Sequence, residues 1–284
     1  MILALSFAGQ NAAPLPFRVL LNHFYLVLDS AAYAAMEGDP FLRRELAVSE
    51  QRTTVRADRT YTGLYFYGTN TYFEFFDVAK ETAHRVGDSG IAFGVEQPGG
   101  LEILQKRMAL DPPEIITRQS GNTQVPWFFS LKPQDFPAES GMSSWIMEYH
   151  SRFLSEWHPE AAGSKAGIRR KEILQRYADT LNSLPVQPYL QDVVEITLAT
   201  GKEVTNSFVK QCKLFGYRSR TDGDTAILEG PEITLRLAPA TNLLRGIQQI
   251  TLRVRGVPQR QTEFHFGSTS VLKFHGNGTA TWSF

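Results

Sequence analysis

Two side chains are of the wrong type for their surroundings. His23 lies inside the apolar run Phe17–Asp29 (FRVLLNHFYLVLD), and Glu74 lies inside Tyr72-Phe73-Glu74-Phe75-Phe76, with aromatic residues on both sides. Burying a carboxylate without a partner costs on the order of several kcal/mol, so Glu74 calls for a metal, a hydrogen-bond donor or water in a cavity. A second acid of this kind, Glu148, occurs in Trp145–His150 (WIMEYH), two residues before His150. In a strand that spacing puts Glu148 and His150 on one face. The same alternation places Leu21 and Tyr25 on the face of His23, with Asn22 and Phe24 on the other. Imidazole with carboxylate suits a divalent ion of the zinc, nickel, manganese or iron group better than calcium. The same two groups are also the ordinary means of moving a proton.

Other signatures are absent. The chain has no GxxxxGK[ST], GxGxxG, HExxH or CxxC. Gly87-Asp88-Ser89-Gly90 mimics a serine-protease nucleophile motif and His84 is near it, but the rest of that pattern is missing. The one cysteine, Cys212, excludes an intramolecular disulfide and any thiolate-rich metal site. It falls in a helix-like stretch, 204–217, and reads as a small packing residue.

The elements around these residues follow a repeated order. The run from Phe17 is a strand that ends at Asp29-Ser30, a helix N-cap signal. Helical stretches follow to Leu46, bent at Asp39-Pro40, then strands Thr60–Tyr67 and Thr71–Asp77 around a Gly68-Thr69-Asn70 turn. The same order recurs as strand Ser89–Val95, helix Leu101–Ala109, and strands Glu114–Arg118, Val125–Leu131 and Ser144–His150. Residues 17–77 and 88–150 thus read as two βαβββ units. Residues 151–190 read as a helical segment whose basic run forms a solvated face. A third unit runs from strand Asp192–Thr200 through helix Val204–Tyr217 to strands Thr225–Leu228 and Glu232–Leu237. A fourth begins at Gly246–Arg255 and lacks a clear helix.

Composition sets outer bounds. The 284 residues carry 29 Lys plus Arg against 29 Asp plus Glu, a balance that supports neither a nucleic-acid nor an anionic-membrane footprint. With 19 Phe, 10 Tyr and 4 Trp there is material for a sizeable core and an aromatic-lined pocket. No apolar run reaches the roughly 18 to 20 residues of a membrane span. Residues 1–16 form an apolar, then small-residue leader without a basic start. A cytoplasmic location is the expectation, with export the alternative that this signal-like leader leaves open.

Strand His23–Asp29 followed by a helix, with Glu74 on the closing strand of the same unit, resembles the vicinal oxygen chelate superfamily. That superfamily includes glyoxalase I, bleomycin- and fosfomycin-resistance proteins and extradiol dioxygenases. The resemblance implies an α+β fold of tandem βαβββ modules forming cupped mixed sheets, two glyoxalase-like halves joined by a helical segment. The domains would be 17–150 (modules 17–77 and 88–150), a helical linker 151–190, and 191–284 with its second module truncated. In the superfamily, first-strand His and last-strand Glu residues point inward to hold one divalent metal. His23, Glu74 and Glu148 match that pattern. The first strand of the second module reads Ser89-Gly90-Ile91-Ala92-Phe93-Gly94-Val95 and has no His, so His150 would have to complete the set. In the C-terminal half Glu195 and Gln249 stand where a His is expected, marking a degenerate copy. The implied activity is that of a metal-dependent lyase, isomerase or dioxygenase using Zn, Ni, Mn or Fe, with Glu148 moving the proton. The alternative is a metal-free module that binds or sequesters a small ligand. The expected partner is a small molecule, with no nucleic acid and no membrane, and homodimerisation left open.

Overall fold

The computed structural model of the chain describes residues 14–81, 83–133, 136–157, 169–181, 187–241 and 244–284. The expected leader falls almost entirely outside them, as do parts of the linker.

The first module is β1 (Val19–Leu28), α1 (Ser30–Gly38), β2 (Val48–Val55), β3 (Thr60–Tyr67) and β4 (Tyr72–Asp77), with a π-type turn at Leu42–Leu46. Asp29 caps α1 by accepting from the backbone N–H of Ala31 and Ala32, as its sequence position predicts. The second module is β5 (Ser89–Val95), α2 (Gly100–Met108), β6 (Glu114–Ser120), β7 (Thr123–Leu131) and β8 (Met142–Tyr149). Together they form one eight-stranded sheet of order β2-β3-β4-β1-β5-β8-β7-β6. The first strand of each module lies at the centre. It runs parallel to the last strand of its own module and antiparallel to its counterpart. The sheet curls until its end strands β2 and β6 approach each other, which makes a cup.

The linker contributes α3 (Phe153–Trp157) and α4 (Arg170–Leu181). The second sheet contains β9 (Leu190–Thr200), α5 (Lys202–Leu214) between its strands in sequence, β10 (Arg218–Asp222), β11 (Thr225–Glu229), β12 (Thr234–Pro239), β13 (Gly246–Val254), β14 (Glu263–Phe266), β15 (Ser270–His275) and β16 (Thr279–Ser283). Its order, β10-β11-β12-β9-β13-β16-β15-β14, repeats that of the first sheet. No helix separates β13 from β14. The fold is therefore α+β, with two glyoxalase-like halves built from four modules.

One core serves both sheets. Leu21, Phe24, Leu26, Phe73, Phe75 and Phe93 of the first sheet share a buried cluster with Ile196, Leu198, Ile250 and Trp282 of the second. Trp282 meets Phe66, Phe73 and Phe75 at ring separations of 5.2–6.0 Å, within the range of favourable edge-to-face contact. The concave face of the first sheet carries a second cluster, which includes Ile173, Leu174 and Tyr177 of α4. The linker is thus more than a connector, because α4 packs into one end of the cup. Its basic run is also not wholly a solvated face. Arg170 is only 3% exposed and bridges Glu96 (2.9 Å) and Glu232 (2.8 Å), one from each half.

Candidate functional site

β1 is a bulged strand. The register with β5 shifts between Leu21 and His23, so Asn22 is the extra residue. That shift corrects the simple alternation expected for this strand. Leu21 joins Phe24 in the shared core, while His23, Tyr25 and Val27 line the cup. Asn22 turns its Oδ1 to His23 Nδ1 at 2.9 Å, and the Tyr149 hydroxyl reaches the same oxygen at 3.4 Å. The imidazole stacks on Tyr72 with ring centroids 4.5 Å apart and has the edge of Trp145 at 5.3 Å.

Glu74 arrives beside it because β4 runs parallel to β1, in a register that places Tyr72 opposite His23 and Glu74 opposite Tyr25. His23 Nε2 lies 3.9 Å from Glu74 Oε1. That separation is too long for a hydrogen bond. Nor is the contact an ion pair near neutral pH. Burial, reinforced by the Arg52 charge, pulls the imidazole down to about 3. Burial pushes the Glu74 carboxyl up to about 7, against the opposing charges of Arg52 and Arg59 and hydrogen bonding from Tyr72 and Tyr65. Desolvation favours the neutral form of each.

The pair lies in a cavity of about 450 Å³. Tyr25, Tyr61, Tyr72, Phe76, Trp127 and Trp145 supply its aromatic wall. Gly90 of β5 makes room for it, because a Cβ there would lie 2.2 Å from the Tyr25 ring and 2.5 Å from Ser143 Oγ. The Tyr25 hydroxyl is bound to that same Ser143 oxygen at 3.0 Å.

His23 and Glu74 are brought together as the sequence suggested; Glu148 and His150 are placed elsewhere. Ser143 and Trp145 of β8 line the cavity, and Glu148 is on the opposite face. Its carboxylate accepts from the backbone N–H of Gly99 (2.8 Å) and Leu101 (2.9 Å) at the start of α2. That is the work of a helix cap, which explains why a carboxylate is buried there without a metal. His150 follows the strand, its ring 5.1 Å from Phe129 and its Nδ1 accepting from Arg152 N–H.

Among the described residues no three His, Cys, Asp or Glu side chains are grouped to hold a metal. On the cup side β5 offers Gly90, Ala92 and Gly94, and β8 offers Ser143, Trp145, Met147 and Tyr149. Neither strand supplies a third ligand. His23 and Glu74 alone do not fit the three-donor set that a resident Zn, Ni, Mn or Fe site requires.

Two cup residues were not singled out from sequence. Arg52 of the polar strand β2 lies with its guanidinium carbon 3.9 Å above the Tyr65 ring and 5.3 Å from that of Tyr177. It is held by Glu50 at 2.7 Å and the Tyr67 hydroxyl at 3.0 Å. His84 lines the cavity near Tyr25, with Nδ1 3.6 Å from Asp88. The four-residue spacing of His84 and Asp88 was legible, although the surrounding protease-like motif leads nowhere. Ser89 Oγ donates to Gly87 C=O and accepts from Ile247 N–H, joining the two halves.

No curated protein matches the chain. A solved structure, a hypothetical protein from Staphylococcus aureus, is similar over 92% of this chain and 97% of its own, with TM-score 0.54 and 10% identity. That likeness is one of fold. An extradiol ring-cleaving dioxygenase from B. fuscum aligns with TM-score 0.40 and 12% identity over 96% of this chain and 74% of its own. A xylose isomerase-like TIM barrel/4-hydroxyphenylpyruvate dioxygenase fusion protein aligns with the same score and identity over 83% and 36%. A family model matches residues 21–284. The chain belongs to that family, the Family of unknown function (DUF5829).

Proposed function

We propose that the protein binds a small molecule in the cup of its N-terminal half, as a ligand-binding member of the glyoxalase-like fold working without a resident metal. The observation that carries this reading is the cavity of about 450 Å³, in which aromatic rings surround the buried His23–Glu74 pair. Small-molecule sites are concave and combine apolar walls with converging polar groups, and this cavity mixes aromatic rings with polar and charged side chains. The neutral His23 ring and the Glu74 carboxyl, whose titration burial pushes up to about 7, offer hydrogen bonds in both senses. The metal-dependent lyase, isomerase or dioxygenase reading, with Glu148 as proton carrier, is supported by the placement of His23 and Glu74. It lacks a third ligand, and it requires of Glu148 a role that its bonds to α2 already occupy.

The test is mass spectrometry of the native protein for co-purified small molecules, with elemental analysis after exposure to Zn, Ni, Mn and Fe and desalting. A bound organic ligand that is lost from His23→Ala and Glu74→Ala supports the reading. Stoichiometric metal retained by the parent and lost from both variants overturns it.

A further inference from the structure

Glu74 occupies the centre of an aromatic frame set by strand register. Tyr25 is its neighbour across β1 and Tyr65 its neighbour across β3. Tyr72 and Phe76 lie two residues to either side, on the same face. Among the described residues no Lys or Arg lies within ion-pair distance of this carboxyl: the neutral His23 ring is 3.9 Å away, and Arg52 and Arg59 act on it only from farther off. The cup already contains one cation held in the manner such a frame allows. The Arg52 guanidinium lies over Tyr65 and faces Tyr177, with Glu50 balancing its charge. Aromatic faces attract cations through their quadrupole, most strongly where water is excluded. Glu74 repeats half of that arrangement: carboxyl and rings are present, and among the described residues no guanidinium or ammonium is in direct contact with it. The rest of the lining is balanced in formal charge, with Arg56, Arg59 and Lys132 against Asp58, Glu81 and Glu114, of which Arg56 and Asp58 form an ion pair at 2.8 Å.

We propose that the ligand of this cup is an organic cation, an ammonium or amidinium group on a compact apolar body, with its charge against Glu74 and between the rings of Tyr25, Tyr72 and Phe76. This rests on the reading of the cup as a ligand site and adds the chemical class of the ligand. An inorganic divalent ion does not fit the same place, because two protein donors and a ring of aromatic faces cannot replace its hydration shell.

The experiment is calorimetric titration of the full chain with three probes that share one phenyl ring: benzyltrimethylammonium, benzyl alcohol and benzoate. The cation is expected to bind about tenfold or more tighter than either of the others. Glu74→Gln is expected to remove that preference, weakening the cation about tenfold while benzoate, no longer repelled, binds no more weakly than to the parent. Phe76→Leu, which keeps the carboxyl, is expected to weaken the cation several-fold and provides the test should Glu74→Gln fail to fold. Benzoate or benzyl alcohol binding as tightly as the cation overturns the inference while leaving the cup a ligand site. Failure of all three probes to bind, or full cation affinity in both variants, also overturns it. The search for a co-purified ligand then decides separately whether the cup binds anything.

Discussion

The His23–Glu74 pair makes a specific demand on how stability varies with pH. Glu74 titrates at about 7 in the folded chain and at 4.5 as a free group. Between those values the folded protein keeps a proton that the unfolded chain has lost, so stability falls as pH rises, by up to about 1.4 kcal/mol per pH unit. The interval corresponds to about 3 kcal/mol in all. His23 acts in the opposite sense, since it titrates at about 3 when folded and at 6.5 as a free group. Between those values the unfolded chain holds the extra proton, so its contribution is complete above 6.5 and is lost as pH falls toward 3. The two slopes overlap from 4.5 to 6.5 and cancel in the parent protein. Single variants uncover them. Urea unfolding at half-unit steps should show Glu74→Gln gaining stability relative to the parent as pH rises from 5 to 7. His23→Gln should lose its relative disadvantage, or gain, as pH falls from 6.5 toward 4.5. Both side chains are over nine-tenths buried, so screening by solvent is small. Curves for Glu74→Gln and the parent that run parallel over this range would refute the assignment. A Glu74→Gln that is destabilised most at pH 6 would show instead that the two residues form an ion pair.

Three further outcomes follow from the contacts around the site. Glu148→Ala should lower stability by about 1–2 kcal/mol, through loss of the cap on α2, while ligand affinity in the cup stays unchanged by titration calorimetry. Arg170→Ala leaves Glu96 and Glu232 without their shared cation and exposes Leu21 C=O, so chemical denaturation should show a loss of about 3 kcal/mol or more. Cys212 is fully buried, and burial pushes its thiol far above the ordinary range, so a thiol reagent should label it only at the rate of unfolding.

The sequence by itself determined what is local. Apolar runs, turn residues and the Asp29 cap marked most of the strands and helices of the first sheet, and chemical mismatch singled out His23 and Glu74. Strands whose side chains are not sorted by burial escaped it. β2 (VSEQRTTV) and β10 (RSRTD) are polar end strands of their sheets, and every residue of β10 is exposed. They form because β3 and β11 offer free backbone hydrogen bonds, a cause absent from their own sequence. Arg52 was hidden in β2 for the same reason.

Tertiary structure decided how residues far apart combine. His23 and Glu74 meet only through the parallel register of β1 with β4, and the bulge at Asn22 determines which neighbours share their face. β8 is buried on both sides, so alternation alone could not tell which of its faces looks into the cup. The curl of the sheet assigned Trp145 to the cavity and turned Glu148 toward the N–H groups at the start of α2, where a carboxylate is most stable.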